Sequence, residues 1–435
     1  MVMCSIMMVI KMTDYVRRIV DDELDVLMPE LSAISLEGPK GVGKTETALR
    51  RAETIYELDD PEQRAVIEAE PKQLTEGKEP ILVDEWQRVP ETWDIIRRAV
   101  DRRSDPGRFL LTGSASPTEK PTHSGAGRIV TLRLRPFSLS ERQLDTPTIS
   151  LDKLLNKQAT EIHGKTDVGL SDYVQEITSS GFPWVRDLSE RARRAQISSY
   201  LHRIVDTDFE QLGQNVRKPE ALRRWMRAYA AATSTTASYE KIRDAATSNQ
   251  DNKPAKNTTR AYREKLEQLW IIENTPAWQP SYNEFSRLTQ SEKHQLADPA
   301  LAVELLGMDK DVLLAGQSPE LKAPYGGRWL GRLFESLITQ SVRTYAQATE
   351  ANVHHFRTMG AQKEIDLVVQ RRDKRVALFE VKIGQKINNE DVKHLKWIKD
   401  KIGDKIIDSA VINTGSHAYR RDDGIAVIPA VLLGP

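Results

Sequence analysis

Short apolar runs alternate with helix-period segments through the first third of the chain. From Leu31, LSAISLEGPKGVGKTETALRRA passes from a strand-like apolar stretch through a glycine turn into a helical pattern. EPILVDEW (Glu79–Trp86) and GRFLLTGSA (Gly107–Ala115) are two further buried-strand candidates, with helical PETWDIIRRAVDRRS between them. Strands alternating with helices predict βαβ units and a parallel sheet. SPTEKPTHSGAG (Ser116–Gly127) reads as a polar loop, and RIVTLRLRPFSLSER as one more strand, ending near Pro136. The polar, weakly patterned stretch Asp145–Lys165 is the expected domain boundary.

From Asp172 to Ser248 the pattern is helical, with WMRAYAAATS and YEKIRDAATS as candidate helices. NTTRAYREKLEQLWIIENTPAW predicts a helix followed by a short strand, so this region has the elements of a winged-helix unit. A third region follows: a long helix, GRWLGRLFESLITQSVRTYAQA, then the strand NVHHFRT, a hairpin, a Lys-rich helix and the strand KIIDSAVIN. The expected organisation is an N-terminal extension at 1–13 and an α/β domain at 14–145. A helical region with a winged-helix-like unit at 165–285 and a second α/β domain at 286–435 complete it.

Composition narrows the class. The chain has 435 residues, 39% hydrophobic and 29% charged, which suits a globular protein of several domains. Lys+Arg and Asp+Glu are both 63, so any nucleic-acid surface has to be local. The single cysteine, Cys4, excludes an internal disulfide and fits a reducing cytoplasm. No apolar run approaches the ~18 residues of a membrane helix. The opening MVMCSIMMVIKM lacks a basic start and a small-residue cleavage site, so it is expected to be a loosely ordered extension rather than a signal peptide.

GPKGVGKT matches the phosphate-binding pattern G-x-x-x-x-G-K-[ST] in full, between a strand and a helix. Gly38, Pro39, Lys40, Gly41, Val42 and Gly43 would turn backbone N–H groups around a β-phosphate. Lys44 would reach the β- and γ-phosphates, and the Thr45 hydroxyl would bind Mg²⁺. In ILVDE, an apolar strand presents Asp84 to the Mg²⁺ shell and Glu85 as general base; a helix-capping acidic pair is the plainer reading. Thr112 and Ser114, at the end of the next strand, are candidate γ-phosphate sensors, or a plain strand-end turn. Arg128, closing a glycine loop, is a candidate arginine finger in cis or in trans, or a solvated loop arginine.

The series LEGPKGVGKT, VDEWQRVPETWDIIRRAVD, GRFLLTGSA, SGAGR and LRPFSLSE resembles the prokaryotic AAA-type ATPases that carry a C-terminal domain of unknown function. SSGFPWV, YLHRIVDTDF, WQPSYNEFSRLTQSEKHQLADPALAVELLG and GRLFESLITQSV resemble that C-terminal half. The resemblance covers nearly the whole chain and implies ATP binding, but no particular biological role. One departure is Trp86, where an aliphatic residue is expected.

The hairpin EIDLVVQRRDKRVALFEVK (Glu364–Lys382) places acids on two strands. Centred on Asp373, it pairs Ile365 with Val381 and Leu367 with Phe379, and sets Asp366 opposite Glu380 on one face. Two adjacent carboxylates call for a cation, most naturally Mg²⁺, with Lys382 orienting water or balancing charge. With Glu335 from the upstream helix, the series Glu335, Asp366, Glu380 and Lys382 resembles the PD-(D/E)xK nuclease superfamily, which implies a restriction-endonuclease-like third domain. The plainer reading is a Glu364–Lys382 ion pair that needs no metal.

KPAKNTTRAYREK adds Lys253, Lys256, Arg260, Arg263 and Lys265 against one acid, Glu264, with Asn257 or Thr258 as a cap. It reads as a DNA-recognition helix or as a solvated basic face. Leu266, Leu269 and Trp270 are expected core. The expected protein is a cytoplasmic, non-membrane ATPase whose cofactors are ATP and Mg²⁺, able to form oligomers. It couples nucleotide state to a nuclease-like DNA-processing domain; the alternative is a nucleotide-switched regulator that binds DNA or protein through an inactive nuclease-like domain.

Overall fold

The computed structural model describes residues 15–114, 126–158, 161–212, 218–247, 254–280, 291–315, 326–358, 360 and 362–435. The expected extension at 1–13, most of the 116–127 loop, Lys253 and part of the WQPSYNEFSRLTQ segment lie outside these residues.

Helix α1 (Ile19–Leu27) leads into β1 (Ala33–Glu37), α2 (Lys44–Leu49), β2 (Thr54–Glu57), β3 (Ile81–Asp84), α3 (Glu91–Arg102), β4 (Phe109–Gly113) and β5 (Val130–Arg133). The strands form a parallel sheet in the order β2-β3-β4-β1-β5. β3 and β4 are buried along their whole lengths, as strands covered by helices on both faces should be. One face packs Ile67, Trp86, Trp93 and Ile96; the other joins a core that runs on into the rest of the chain.

The middle is helical: α4 (Leu170–Ser179), α5 (Glu190–Arg203), α6 (Pro219–Ala231), α7 (Tyr239–Ala245) and α8 (Lys256–Gln268). After α8 comes a short antiparallel ladder, Ile272 with Leu296 and Thr275 with Lys293. The helix α9 (Pro299–Leu306) packs on α4, α5 and α6. The stretch just after Gln290 therefore belongs to the helical body, not to the third domain as its pattern suggested.

The long helix α10 (Gly326–Ala348) precedes a seven-stranded sheet. Its strands are β6 (Asn352–Arg357), β7 (Glu364–Gln370), β8 (Val376–Val381), β9 (Ile406–Asn413), β10 (His417–Arg420) and β11 (Ala426–Pro429), with α11 (Lys393–Ile402) across one face. The seventh strand is Gly164–Lys165, paired antiparallel with β10. Ile149–Ser150 likewise pairs with Leu433–Gly434. The polar stretch read as a domain boundary is thus built into the C-terminal region. Few apolar positions are needed there, because the pairing is backbone-made and only two residues long at each place.

The RPFSLSE segment fastens the first domain to α10. Leu139 N donates to Ser341 Oγ at 3.0 Å and Ser140 N to the Tyr345 hydroxyl at 3.0 Å. Arg135 forks onto Glu273, with its closest contact at 2.6 Å. Burial alone would raise the Glu273 carboxyl, but Arg135, Arg343 and Arg133 hold it far below its usual range.

Candidate functional site

Parallel register brings the polar strand ends together. Leu36 on β1 pairs with Thr112 on β4, and Val83 on β3 with Leu111, so Asp84 and Thr112 end adjacent strands beside the turn Gly38–Gly43. Gly43 sits at φ 99°, a conformation that glycine adopts without strain, and starts α2. Gly41 is approached so closely that an added Cβ would stand 2.5 Å from Trp184 Nε1. The loop is thus roofed by the helical region, and Lys40 is paired with Asp208 there at 2.6 Å. Asp208 closes the π-helical turn Ile204–Asp208.

The Lys44 ammonium is 4% exposed and donates to Gly38 O and Pro39 O, both at 2.9 Å. Burial pulls its pKa down to about 8, with Glu85 and Asp84 partly offsetting that. Thr45 Oγ1 donates to Asp84 Oδ1 at 2.8 Å, and the Thr112 hydroxyl donates to the same oxygen while accepting from Glu85 N. Burial raises the Asp84 carboxyl despite those two hydroxyls, so a cation there would relieve it. Glu85 has left-handed backbone, φ 53°. Ser114 Oγ and Gln87 Nε2 hold its two carboxylate oxygens. Arg128 is half-exposed and bound to Asp101 at 2.8 Å on the end of α3.

A cavity of about 360 Å³ adjoins Gly43, lined by Tyr15, Thr47, Arg50, Phe137 and Pro183. The Arg50 guanidinium lies 3.7 Å from the Tyr15 ring centre. Tyr15, Trp184 and Asp208 were not singled out by sequence reasoning: each meets the phosphate loop from a segment that carries no motif of its own.

The C-terminal hairpin has the register its sequence predicts, from Val376–Gln370 through Phe379–Leu367. The next backbone rung is replaced by a side chain, since Val381 N donates to Asp366 Oδ2 at 2.9 Å. Glu380 is buried, its Oε2 bound by Lys382 Nζ at 3.1 Å and its Oε1 without a conventional partner. Burial and the neighbouring Asp366 push its carboxyl well above the ordinary range.

The expected three-carboxylate metal cage of Glu335, Asp366 and Glu380 is not what forms. Among the described residues no group of three or more acid, histidine or cysteine side chains is arranged to hold a metal ion. The reason is Lys293. It is 1% exposed, and its ammonium lies 2.8 Å from Glu335, 3.0 Å from Glu364 and 3.3 Å from Asp366. Burial alone would lower its pKa, but the three acids raise it well above the usual lysine value. The plainer Glu364–Lys382 pair is also replaced, because Glu364 turns to Lys293 and Lys382 to Glu380. Burial pushes Glu335 up to about 8, with Lys293 partly offsetting it.

On α8, Lys256 pairs with Glu240, Arg260 with Glu264 and Arg263 with Glu267, so its cations are matched by acids. The N-cap is Ala255, with no side-chain cap, in place of Asn257 or Thr258. Leu266 and Leu269 are buried, as expected. Among the described residues no helix is long and apolar enough to cross a membrane.

Three family models match the chain: an AAA domain at residues 31–143, a domain of unknown function (DUF8612) at 170–312, and another (DUF4143) at 330–433. With the geometry of the phosphate loop, these residues constitute an AAA-type P-loop ATPase domain. Uncharacterized proteins of Mycobacterium tuberculosis and Mycobacterium bovis are each 24% identical over 410 residues, covering 91% of this chain and 80% of theirs. Among solved structures, similarity extends to a Walker-type ATPase of Pyrococcus abyssi (TM-score 0.35, 14% identity, 66% of this chain and 94% of that one). It also extends to a Thermotoga maritima RuvB mutant (TM-score 0.27, 16% identity, 62% and 94%).

Proposed function

We propose that the chain hydrolyses ATP and passes its nucleotide state to a middle and C-terminal module that binds a DNA or protein partner without cutting it. The observation that carries the first half is Lys44, a buried ammonium whose hydrogen-bond partners are two loop carbonyls, beside the Thr45–Asp84 pair. Such a cation is ready for a polyanion. Thr45 and Asp84 would hold Mg²⁺, which neutralises phosphate charge when bound. Glu85, fixed by Ser114 and Gln87, is the base that orients water, and Thr112 keeps Asp84 in place. The cavity beside Gly43 has room for the nucleoside. Arg128 serves as a finger for the site of a neighbouring copy, which requires it to leave Asp101.

Coupling runs through the roof of the loop. Phosphates entering beside Lys40 compete with Asp208 for its ammonium, and Trp184 rides on Gly41, so α5 and the turn after it feel the nucleotide. Trp184 fluorescence should change on ATP addition, and Trp184→Phe should remove that change. An unaltered signal with ATP demonstrably bound would refute this route. The second half rests on Lys293, which fills the place a catalytic cation would take in a nuclease-like region.

A second reading, ATP-triggered DNA cleavage, is favoured by one feature: Asp366 beside Glu380 with an unpartnered Oε1. It requires Lys293 to withdraw. Mg²⁺- and ATP-dependent plasmid cleavage, lost in Glu380→Ala, would establish it. For DNA as partner, α6–α8 and the ladder after them serve as the winged-helix unit; duplex binding that is insensitive to Arg260→Ala and Arg263→Ala would exclude that face.

A further inference from the structure

Lys293 belongs to the helical body, yet its ammonium is spent on the C-terminal sheet. Its backbone is pinned to Thr275 by two hydrogen bonds, N to Thr275 O at 2.9 Å and Thr275 N to its own O at 2.8 Å. Thr275 is held in turn by Arg343 Nη2 at 2.7 Å. From that ladder the side chain reaches one acid on α10, Glu335, and two on β7, Glu364 and Asp366. An ammonium has three N–H donors, and here each has a carboxylate. Contacts of 2.8–3.3 Å are ammonium distances. They are wider than the ~2.0–2.1 Å that Mg²⁺ demands.

A second observation points to a cation from the other side of Asp366. Glu380 is 4% exposed and its Oε1 has no conventional partner. A buried carboxylate oxygen left this way is costly unless a proton or cation meets it.

We infer that Lys293 is a built-in counter-ion that occupies a latent divalent-cation site, and that removing its charge converts Glu335, Asp366 and Glu380 into ligands for a hard ion such as Mg²⁺ or Mn²⁺. The inference rests on the reading of the C-terminal region as metal-free in the resting chain. Oxygen-only ligands exclude the softer transition ions as the natural occupant. The plug also explains why the centre depends on two parts of the chain: the acids come from one and the cation from the other.

The test uses the full chain without nucleotide, where the phosphate-loop site for Mg²⁺ is incomplete. Mn²⁺ is titrated by calorimetry and by thermal melting into wild type, Lys293→Met, Lys293→Arg and Lys293→Met/Asp366→Asn. Wild type and Lys293→Arg should show no site. Lys293→Met should gain one, with Mn²⁺ raising its Tm by several degrees, and Asp366→Asn should abolish the gain, which the phosphate loop cannot mimic. If Lys293→Met fails to fold alone, it should refold when Mn²⁺ is supplied. Mn²⁺ bound by wild type would overturn the metal-free reading itself. A folded Lys293→Met that ignores Mn²⁺, or an unfolded one that Mn²⁺ does not rescue, would overturn the inference and leave that reading intact.

Discussion

Two buried lysines set the two ends of the molecule apart. Lys44 and Lys293 are both nearly inaccessible, at 4% and 1%. Lys44 meets only carbonyl oxygens at hydrogen-bond distance, and burial lowers its pKa to about 8. Lys293 meets three carboxylates and its pKa rises. The first is a charge kept short of partners, at a cost in stability, so that a ligand can supply them. The second is a charge already answered. Burial of a cation does not mark a binding site; burial without a counter-charge does.

The comparison breaks most sharply on the base that depends on the first lysine's ligand. Glu85→Gln should keep ATP affinity and lower kcat by about 10²–10⁴, the usual worth of a positioned base. Steady-state turnover with separately measured binding checks it, and normal turnover would move the base elsewhere. Next in size, Lys293→Ala should destabilise the metal-free chain by about 3–5 kcal/mol, as removing one partner of a buried pair does. Lys44→Ala should leave the empty protein's denaturation midpoint unchanged or slightly raised, since no counter-charge is orphaned. Equal losses from both would erase the distinction drawn here.

Lys44→Ala should weaken ATP binding by about 100-fold, because hydrogen bonds to charged groups are worth about 1.5–3 kcal/mol each. Calorimetry decides, and unchanged affinity would sink the assignment. The pH dependence is smaller. In the empty loop Lys44 is charged below about 8 and neutral above. Phosphates favour the charged form, so binding takes up a proton at higher pH. Affinity should be flat from pH 7 to about 8 and then fall by up to about tenfold per unit. Smallest of all, Asp208→Asn should tighten ATP binding a few-fold by freeing Lys40. Weaker binding would make that pair a support of the loop rather than a competitor.

What the sequence made legible follows from how local each feature is. The phosphate loop is contiguous and its partners lie on strands whose apolar runs are plain. The hairpin register was legible because strand pairing alternates with period two around one odd turn. Lys293 was not legible, since its partners stand 42 and 73 positions further on and SEKHQLADPA has no pattern that aims a side chain inward. The same holds for Trp184 and Asp208, which reach the loop only through the packing of helices. The acids of the C-terminal site were found; the cation that decides their use was not.

The two-residue pairings at Ile149–Ser150 and Gly164–Lys165 have a consequence for biosynthesis. Their partners, Leu433–Gly434 and β10, leave the ribosome last among the strands, after the whole helical body and α10. At about 5–20 residues per second the wait is on the order of tens of seconds. During that time the AAA-type domain can close its own sheet, while the polypeptide just after it stays unpaired. The middle of the chain is thus a long excursion between two halves of one sheet, and the last strands to be made return to seal the point where that excursion began.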